Sequence, residues 1–205
     1  PNNHPLRGPN QWPSEVPELQ QLAMRYFAES HRVAEALMRG FALGLGLDAG
    51  FFLQKTDEPM SRASFVYYPP TKAHEPRRLG VGEHTDFGVL TVLCQDDVGG
   101  LEVLDLEGNW IAAPPIENTL IVNVGDLLSR WTNGAYRSTP HRVINATSRE
   151  RLSLVLAWDP NPDVMIDAKH VFADGSSQLQ NADQEISCGD YLSWRFERAF
   201  SYRSK

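Results

Sequence analysis

His84, Asp86 and His141 are the side chains best suited to hold a metal, and Arg151 and Ser153 follow shortly after the last of them. Two imidazoles and one carboxylate can occupy one face of an Fe(II) octahedron and leave the other face to a co-substrate and dioxygen. An Arg-x-Ser pair offers a rigid guanidinium fork and a hydroxyl, the donors that the far carboxylate of an anionic co-substrate needs. Should these five residues converge, the chemistry is oxidation.

A His-x-acid triplet alone says little, because six histidines and 26 acidic residues in 205 positions produce roughly one by accident. Its geometry is still useful. Residues i and i+2 of an extended segment point to one side, so His84 and Asp86 can grip one ion while Thr85 faces away. Gly80, Gly82 and Gly88 flank the pair and would let the chain bend at a sheet rim.

The elements that must position these residues are mostly short β-type runs. They are 63–68, 89–94, 101–106, 109–112, 119–124, 141–145 and 152–158, with turns at Glu107-Gly108-Asn109 and Asn133-Gly134. The stretch from His141 to Trp158 reads as a hairpin turning around Ala146 to Glu150. That pairing places Arg151 opposite Asn145, about 13 Å along the sheet from His141. Arg151, Ser153, Val155 and Ala157 then share one face that lines a cavity, and the intervening leucines pack outward.

Before the strands, Ser14 with Glu15 and Glu18 marks a helix start. Leu19, Leu22, Ala23, Tyr26, Phe27, Val33, Ala34, Leu37, Met38 and Phe41 give the helix a wide apolar stripe that ends near Gly44 and Gly46. His31 falls off that stripe and is expected to be solvated or to cap, not to hold a metal. A second helical pattern covers Asp190 to Tyr202. Many strands with no helices between them indicate a mainly β protein with flanking helices, a sandwich or barrel. The expected organisation is an N-terminal helical segment over 1–60 and a β-roll with a C-terminal helix over 61–205, one structural domain in all.

Composition narrows the function classes. With 41% hydrophobic residues the chain can bury a sizeable core. A net charge of −7 and a pI near 5.3 give no footprint for nucleic acid, even with Arg77-Arg78 and Arg149, Arg151 as basic pairs. No long apolar run suggests a membrane span, and no charged-then-apolar leader opens the sequence. Cys94 and Cys188 are too few for a disulfide framework and read as structural thiols, which suits a cytoplasmic setting. Trp131, Phe196 and Phe200 are expected in ordinary core packing, with apolar walls for a substrate as the alternative, and His4, His74 and His170 on the surface, with the cavity mouth as the alternative for His74.

Taken in order, Tyr67-Tyr68-Pro69, His84-Thr85-Asp86, Asn123-Val124-Gly125-Asp126, His141-Arg142-Val143 and Arg151-Leu152-Ser153 resemble the Fe(II)/2-oxoglutarate-dependent dioxygenase superfamily, in its isopenicillin N synthase-like branch. The resemblance implies a double-stranded β-helix (jelly roll) with the metal at its open end. It implies His84, Asp86 and His141 as Fe(II) ligands, Arg151 and Ser153 as the anchor of 2-oxoglutarate, and Tyr68 as a further co-substrate contact. Asn123 and Asp126 are expected to shape the neighbouring strand end.

The implied reaction oxidises an unactivated C–H bond of a small organic substrate by hydroxylation, desaturation or cyclisation, releasing succinate and CO2. Dioxygen is consumed, and ascorbate is a candidate reductant. Two departures stand out: many relatives carry Asn where Val66 stands, and the N-terminal part of the family fold is expected to be absent. Two alternatives stay open, an isopenicillin N synthase-like or ascorbate-using oxidase that consumes no 2-oxoglutarate, and a non-catalytic jelly-roll metal-binding module.

Overall fold

The computed structural model describes residues 4–71, 79–144, 147–172 and 185–199. His74, Phe200, the pair Arg77-Arg78, the end of the second helical pattern at Tyr202, the end of the 141–145 run at Asn145 and the start of the turn at Ala146 lie outside them. Among the described residues eight strands build two four-stranded antiparallel sheets. They are β1 (Arg62–Tyr68), β2 (Leu79–His84), β3 (Leu90–Gln95), β4 (Leu101–Leu104), β5 (Trp110–Ala112), β6 (Ile121–Val124), β7 (His141–Ile144) and β8 (Arg151–Trp158). One sheet runs β1-β8-β3-β6 and the other β2-β7-β4-β5, the double-stranded β-helix that the motifs imply.

The expected hairpin of His141 to Trp158 does not form. β7 pairs with β2 and β4, whereas β8 pairs with β1 and β3, so the chain crosses from one sheet to the other between them. The apolar alternation within a strand fixes which residues face inward but is the same whichever strand lies alongside. The facing of β8 is as expected. Arg151, Ser153, Val155 and Ala157 line the space between the sheets. Leu156 and Trp158 are fully buried in the cluster on the other side of the sheet.

That outer cluster is closed by three helices, α1 (Glu18–Gly44), α2 (Asp126–Trp131) and α3 (Cys188–Ala199). α1 begins at Glu18, not at Ser14. Pro17 disfavours helical geometry at Val16 and itself takes the cap position, and the Ser14 hydroxyl bonds Glu15 instead of a backbone N–H. Its buried line is Ala23, Ser30, Ala34, Met38 and Ala42, narrower than the expected stripe, and Leu22 and Val33 stay exposed. Small residues along that line let the helix lie close to β3 and β8. Each fully buried aliphatic side chain there contributes roughly 1.5–3 kcal/mol.

His31 is not in solvent. Its ring packs 6.2 Å from that of Trp158, with Ser61 Oγ 3.3 Å from Nε2 and Glu35 3.4 Å from Nδ1. Trp131 sits in the core beside Phe51 and Phe52, as expected. Phe196 packs against the edge of that core and also lines the cavity between the sheets. β2 and α2 carry no apolar periodicity strong enough to announce them: β2 is Leu-Gly-Val-Gly-Glu-His with two register shifts, and α2 is six residues long.

Candidate metal centre and its cavity

His84 ends β2 and His141 begins β7, and the register pairs them directly across the second sheet. Their rings stand 4.3 Å apart. Asp86 lies two residues beyond β2, and its Oδ1 is 3.9 Å from His84 Nε2 and 3.8 Å from His141 Nε2. One donor atom from each of the three residues falls within 4.8 Å of the others. Two donors about 2.1 Å from one ion can be no more than about 4.2 Å apart, so both carboxylate–imidazole separations suit a shared metal.

The surroundings set which atoms are free. His84 Nδ1 lies 2.8 Å from the Gly82 carbonyl and His141 Nδ1 lies 3.1 Å from the Thr139 carbonyl. A carbonyl only accepts, so each Nδ1 carries the proton and each Nε2 keeps its lone pair for a metal. Asp86 Oδ2 accepts from Thr91 Oγ1 at 2.5 Å and from Asn123 Nδ2 at 2.7 Å, which leaves Oδ1 turned to the imidazoles. Thr91 and Asn123 are cross-strand partners on β3 and β6. Asn123 was expected only to shape a strand end; it also orients the carboxylate.

Asp126 fixes the loop from behind. Its N–H donates to the Asp86 carbonyl at 2.8 Å, and its carboxylate accepts from Thr85 Oγ1 and pairs with Arg195 at 2.7 Å. Gly125 must be glycine, since a Cβ there would overlap the Gly88 carbonyl oxygen.

Arg151 and Ser153 lie in the first sheet, facing the metal candidates across the cavity. Arg151 is wholly buried, yet its partners are neutral: Nε donates to the Gly99 carbonyl at 2.7 Å and Nη2 to Gln95 Oε1 at 3.2 Å. The guanidinium lies over the Tyr68 ring at 4.6 Å. Among the described residues Nη1 is buried with no hydrogen-bond partner. A buried donor on a cation normally finds one, so this atom marks a place for an anionic oxygen. Tyr68 is pinned in turn by Gly80, where a Cβ would come within 2.6 Å of its ring.

All six expected site residues line a single cavity of about 390 Å3 between the two sheets. Its walls between the two ends are apolar, with Val66, Val81, Leu93, Val143 and Val155 among them. Val66 pairs with Ser153 across β1 and β8, so an aliphatic side chain stands beside that hydroxyl on the cavity wall. No motif or spacing pointed to Gln95, Thr91 or the Gly99 carbonyl: Gln95 reaches Arg151 through the register of β3 and β8, the Gly99 carbonyl comes from the loop after β3, and Thr91 meets Asp86 across the bend between β2 and β3.

Two antiparallel sheets enclosing a His-Asp-His cluster opposite a buried, partly unpartnered arginine define the class of non-haem iron oxygenases. Residues 58–160, about half of the chain, match the 2OG-Fe(II) oxygenase superfamily, and the chain belongs to it. It is 39% identical over 162 residues to the 2-oxoglutarate-Fe(II) type oxidoreductase hxnY of Emericella nidulans, covering 76% of this chain and 46% of that one. It is 41% identical over 162 residues to validamycin A dioxygenase of Streptomyces hygroscopicus subsp. limoneus, covering 75% and 44%. Among solved structures, a full-length Neurospora crassa protein in complex with alpha-KG and thymine superposes with a TM-score of 0.85 at 32% identity, covering 93% of this chain and 61% of that one. The chain thus spans about half the length of the curated relatives it matches. The cofactor pair of the superfamily is the expected one, Fe(II) and 2-oxoglutarate.

Proposed function

We propose that this chain is the catalytic portion of an oxygenase that uses Fe(II), 2-oxoglutarate and dioxygen to oxidise an unactivated C–H bond of a small organic molecule. One observation carries the reading: three metal donors share a cavity with a fully buried Arg151 whose Nη1 lacks a partner among the described residues. The residues fit the groups. His84 Nε2, His141 Nε2 and Asp86 Oδ1 would hold Fe(II), and Arg151 with Ser153 would take the distal carboxylate of 2-oxoglutarate. Tyr68 keeps the guanidinium plane in place and adds a co-substrate contact. The bound metal and co-substrate supply dioxygen activation, with succinate and CO2 as by-products.

The chain's own part is placement. Carbonyl-bound Nδ1 atoms fix both imidazole tautomers, Thr91 and Asn123 aim the carboxylate, and the apolar middle of the cavity would shield the co-substrate between the metal and Arg151 from water. Small-molecule substrates fit a cavity of this size. Residues 1–60 and 61–205 are read as one structural domain, and a cytoplasmic setting suits the unpaired Cys94 and Cys188. Among the described residues no helix is long and apolar enough to cross a membrane.

Anaerobic addition of Fe(II) and 2-oxoglutarate should produce a weak visible charge-transfer band, and His84→Ala should abolish both the band and succinate release. Absence of the band in folded wild-type protein would overturn the reading. Oxygen uptake without succinate would point to the oxidase that consumes no 2-oxoglutarate.

A further inference from the structure

Two cations line the cavity walls, and the co-substrate reading uses only Arg151. The other is Arg62, the first residue of β1. Strand register places it on one row across the first sheet: Arg62 pairs with Ala157, Ala157 with Thr91 and Thr91 with Asn123. Thr91 and Asn123 are the two residues that hold Asp86, so this row lies at the level of the metal candidates. The row of Ser153, Val66 and Gln95 is four residues deeper, about 13 Å along the sheet. Arg62 and Thr91 are separated by one strand, about 10 Å at the backbone, and the residue between them is the small Ala157. The sheet therefore leaves open space beside Asp86, walled on its far side by a guanidinium.

That guanidinium is held in place from behind. Nη1 donates to Asp159 Oδ2 at 3.0 Å, and Asp159 is wholly buried and also accepts the Val89 N–H at 2.8 Å. Its face lies on the Phe196 ring at 4.8 Å, and Phe196 packs edge-on against Phe87, the residue after Asp86. Among the described residues Asp159 is its sole polar partner, and the side chain remains 36% exposed. A planar fork pinned at one nitrogen and one face presents its remaining N–H groups to an incoming oxygen pair.

Building on the oxygenase reading, we propose that Arg62 is the substrate-orienting residue and that the substrates are small carboxylates. Their anionic group docks on Arg62, and their apolar body lies against Phe196 and Phe87, over Ala157 and beside Asp86. This assigns the two cationic walls to two different carboxylates, co-substrate at Arg151 and substrate at Arg62.

The test titrates protein saturated with Mn(II) and N-oxalylglycine, an unreactive analogue that occupies Arg151, with 3-phenylpropanoate and with 3-phenylpropanamide by calorimetry. The acid should bind about tenfold tighter than the amide, the difference expected for one charge-assisted hydrogen bond. Arg62→Gln should erase that preference and leave N-oxalylglycine affinity unchanged. Arg62→Lys, which keeps a cation beside buried Asp159, should retain part of it. Equal binding of acid and amide by wild type, or an acid preference that survives in Arg62→Gln, overturns the proposal. Failure of N-oxalylglycine itself to bind would sink the co-substrate reading instead, and the contrast between wild type and Arg62→Gln would still decide this one.

Discussion

Gln95 gives Arg151 a neutral acceptor where a carboxylate would have cancelled its charge. A buried guanidinium needs partners, and here a side-chain amide and a backbone carbonyl provide them without competing for the cation. Gln95 is anchored at its other end, where Nε2 donates to the Ala113 carbonyl at 3.3 Å. Gln95→Glu keeps the shape and adds the charge, so it should form an internal ion pair and displace the distal carboxylate of 2-oxoglutarate. We expect co-substrate affinity to fall about tenfold or more, on the scale of one hydrogen bond to a charged group, with little change in metal affinity. Calorimetry on the metal-loaded protein measures both. Unchanged 2-oxoglutarate affinity would refute the role given to Arg151. At this scale His84, Asp86, His141, Arg151 and Ser153 were legible in the sequence, because their types carry the chemistry, while Tyr68 came only with the family resemblance. Gln95 and the hold of Asn123 on Asp86 were not. Gln95 and Asn123 reach Arg151 and Asp86 across 56 and 37 residues of sequence, through pairings that no spacing rule encodes.

Strands were legible as elements, but their partners were not. Alternation within 151–158 correctly turned Arg151 and Ser153 inward, yet the hairpin drawn from it placed β7 and β8 side by side. In the fold they lie in opposite sheets, so Arg151 faces His141 across the cavity instead of along one sheet. β2 and α2 were missed for a related reason: glycines interrupt one, and the other is too short to show a period. Both are held by contacts distant in sequence, above all the clamp of 123–127 on the loop that bears Asp86. Gly125→Ala tests that clamp. Gly125 has an ordinary φ of −96°, so the obstacle is the Gly88 backbone and not conformation. Displacing that backbone should cost about 1–3 kcal/mol. Because Asp86 lies on the same loop, metal affinity should fall together with the melting temperature. A variant that melts lower but binds metal normally would show that the clamp serves stability alone.

His31 belongs to the same scale, since it lies where α1 meets the first sheet. Burial lowers its pKa below the ordinary 6.5, and nearby Glu35 only partly offsets this. The unfolded chain therefore binds the proton more readily than the folded one. Stability from a neutral His31 is complete above about 6.5 and is lost as pH falls through that value toward the depressed folded one. Denaturant unfolding at about pH 7.5 and at about pH 5 should show wild type losing more stability than His31→Gln. Equal losses would place the acid sensitivity elsewhere.

At the scale of the whole molecule, the site belongs to neither sheet alone. His84 and His141 come from one, Arg151, Ser153 and Tyr68 from the other, and Asp86 from a loop held by residues of the first. The core between the sheets is thin, built around Tyr68, Leu93, Leu101 and Val143, because the cavity takes much of the space that side chains would fill. A ligand that reaches from the metal to Arg151 would therefore join the two sheets, and its binding energy would add to the weak layer between them. Ligand at a hundredfold excess over its dissociation constant stabilises the folded state by about 2.7 kcal/mol. For a domain of this size that raises the melting temperature by roughly 5–11 °C. Mn(II) and 2-oxoglutarate added together should raise it by more than the sum of each alone, since the co-substrate bridges only when the metal is present. Arg151→Ala should keep the rise due to metal and lose the excess. A purely additive rise in wild type would mean that the two ligands bind independently, and the bridge between sheets would have to be abandoned.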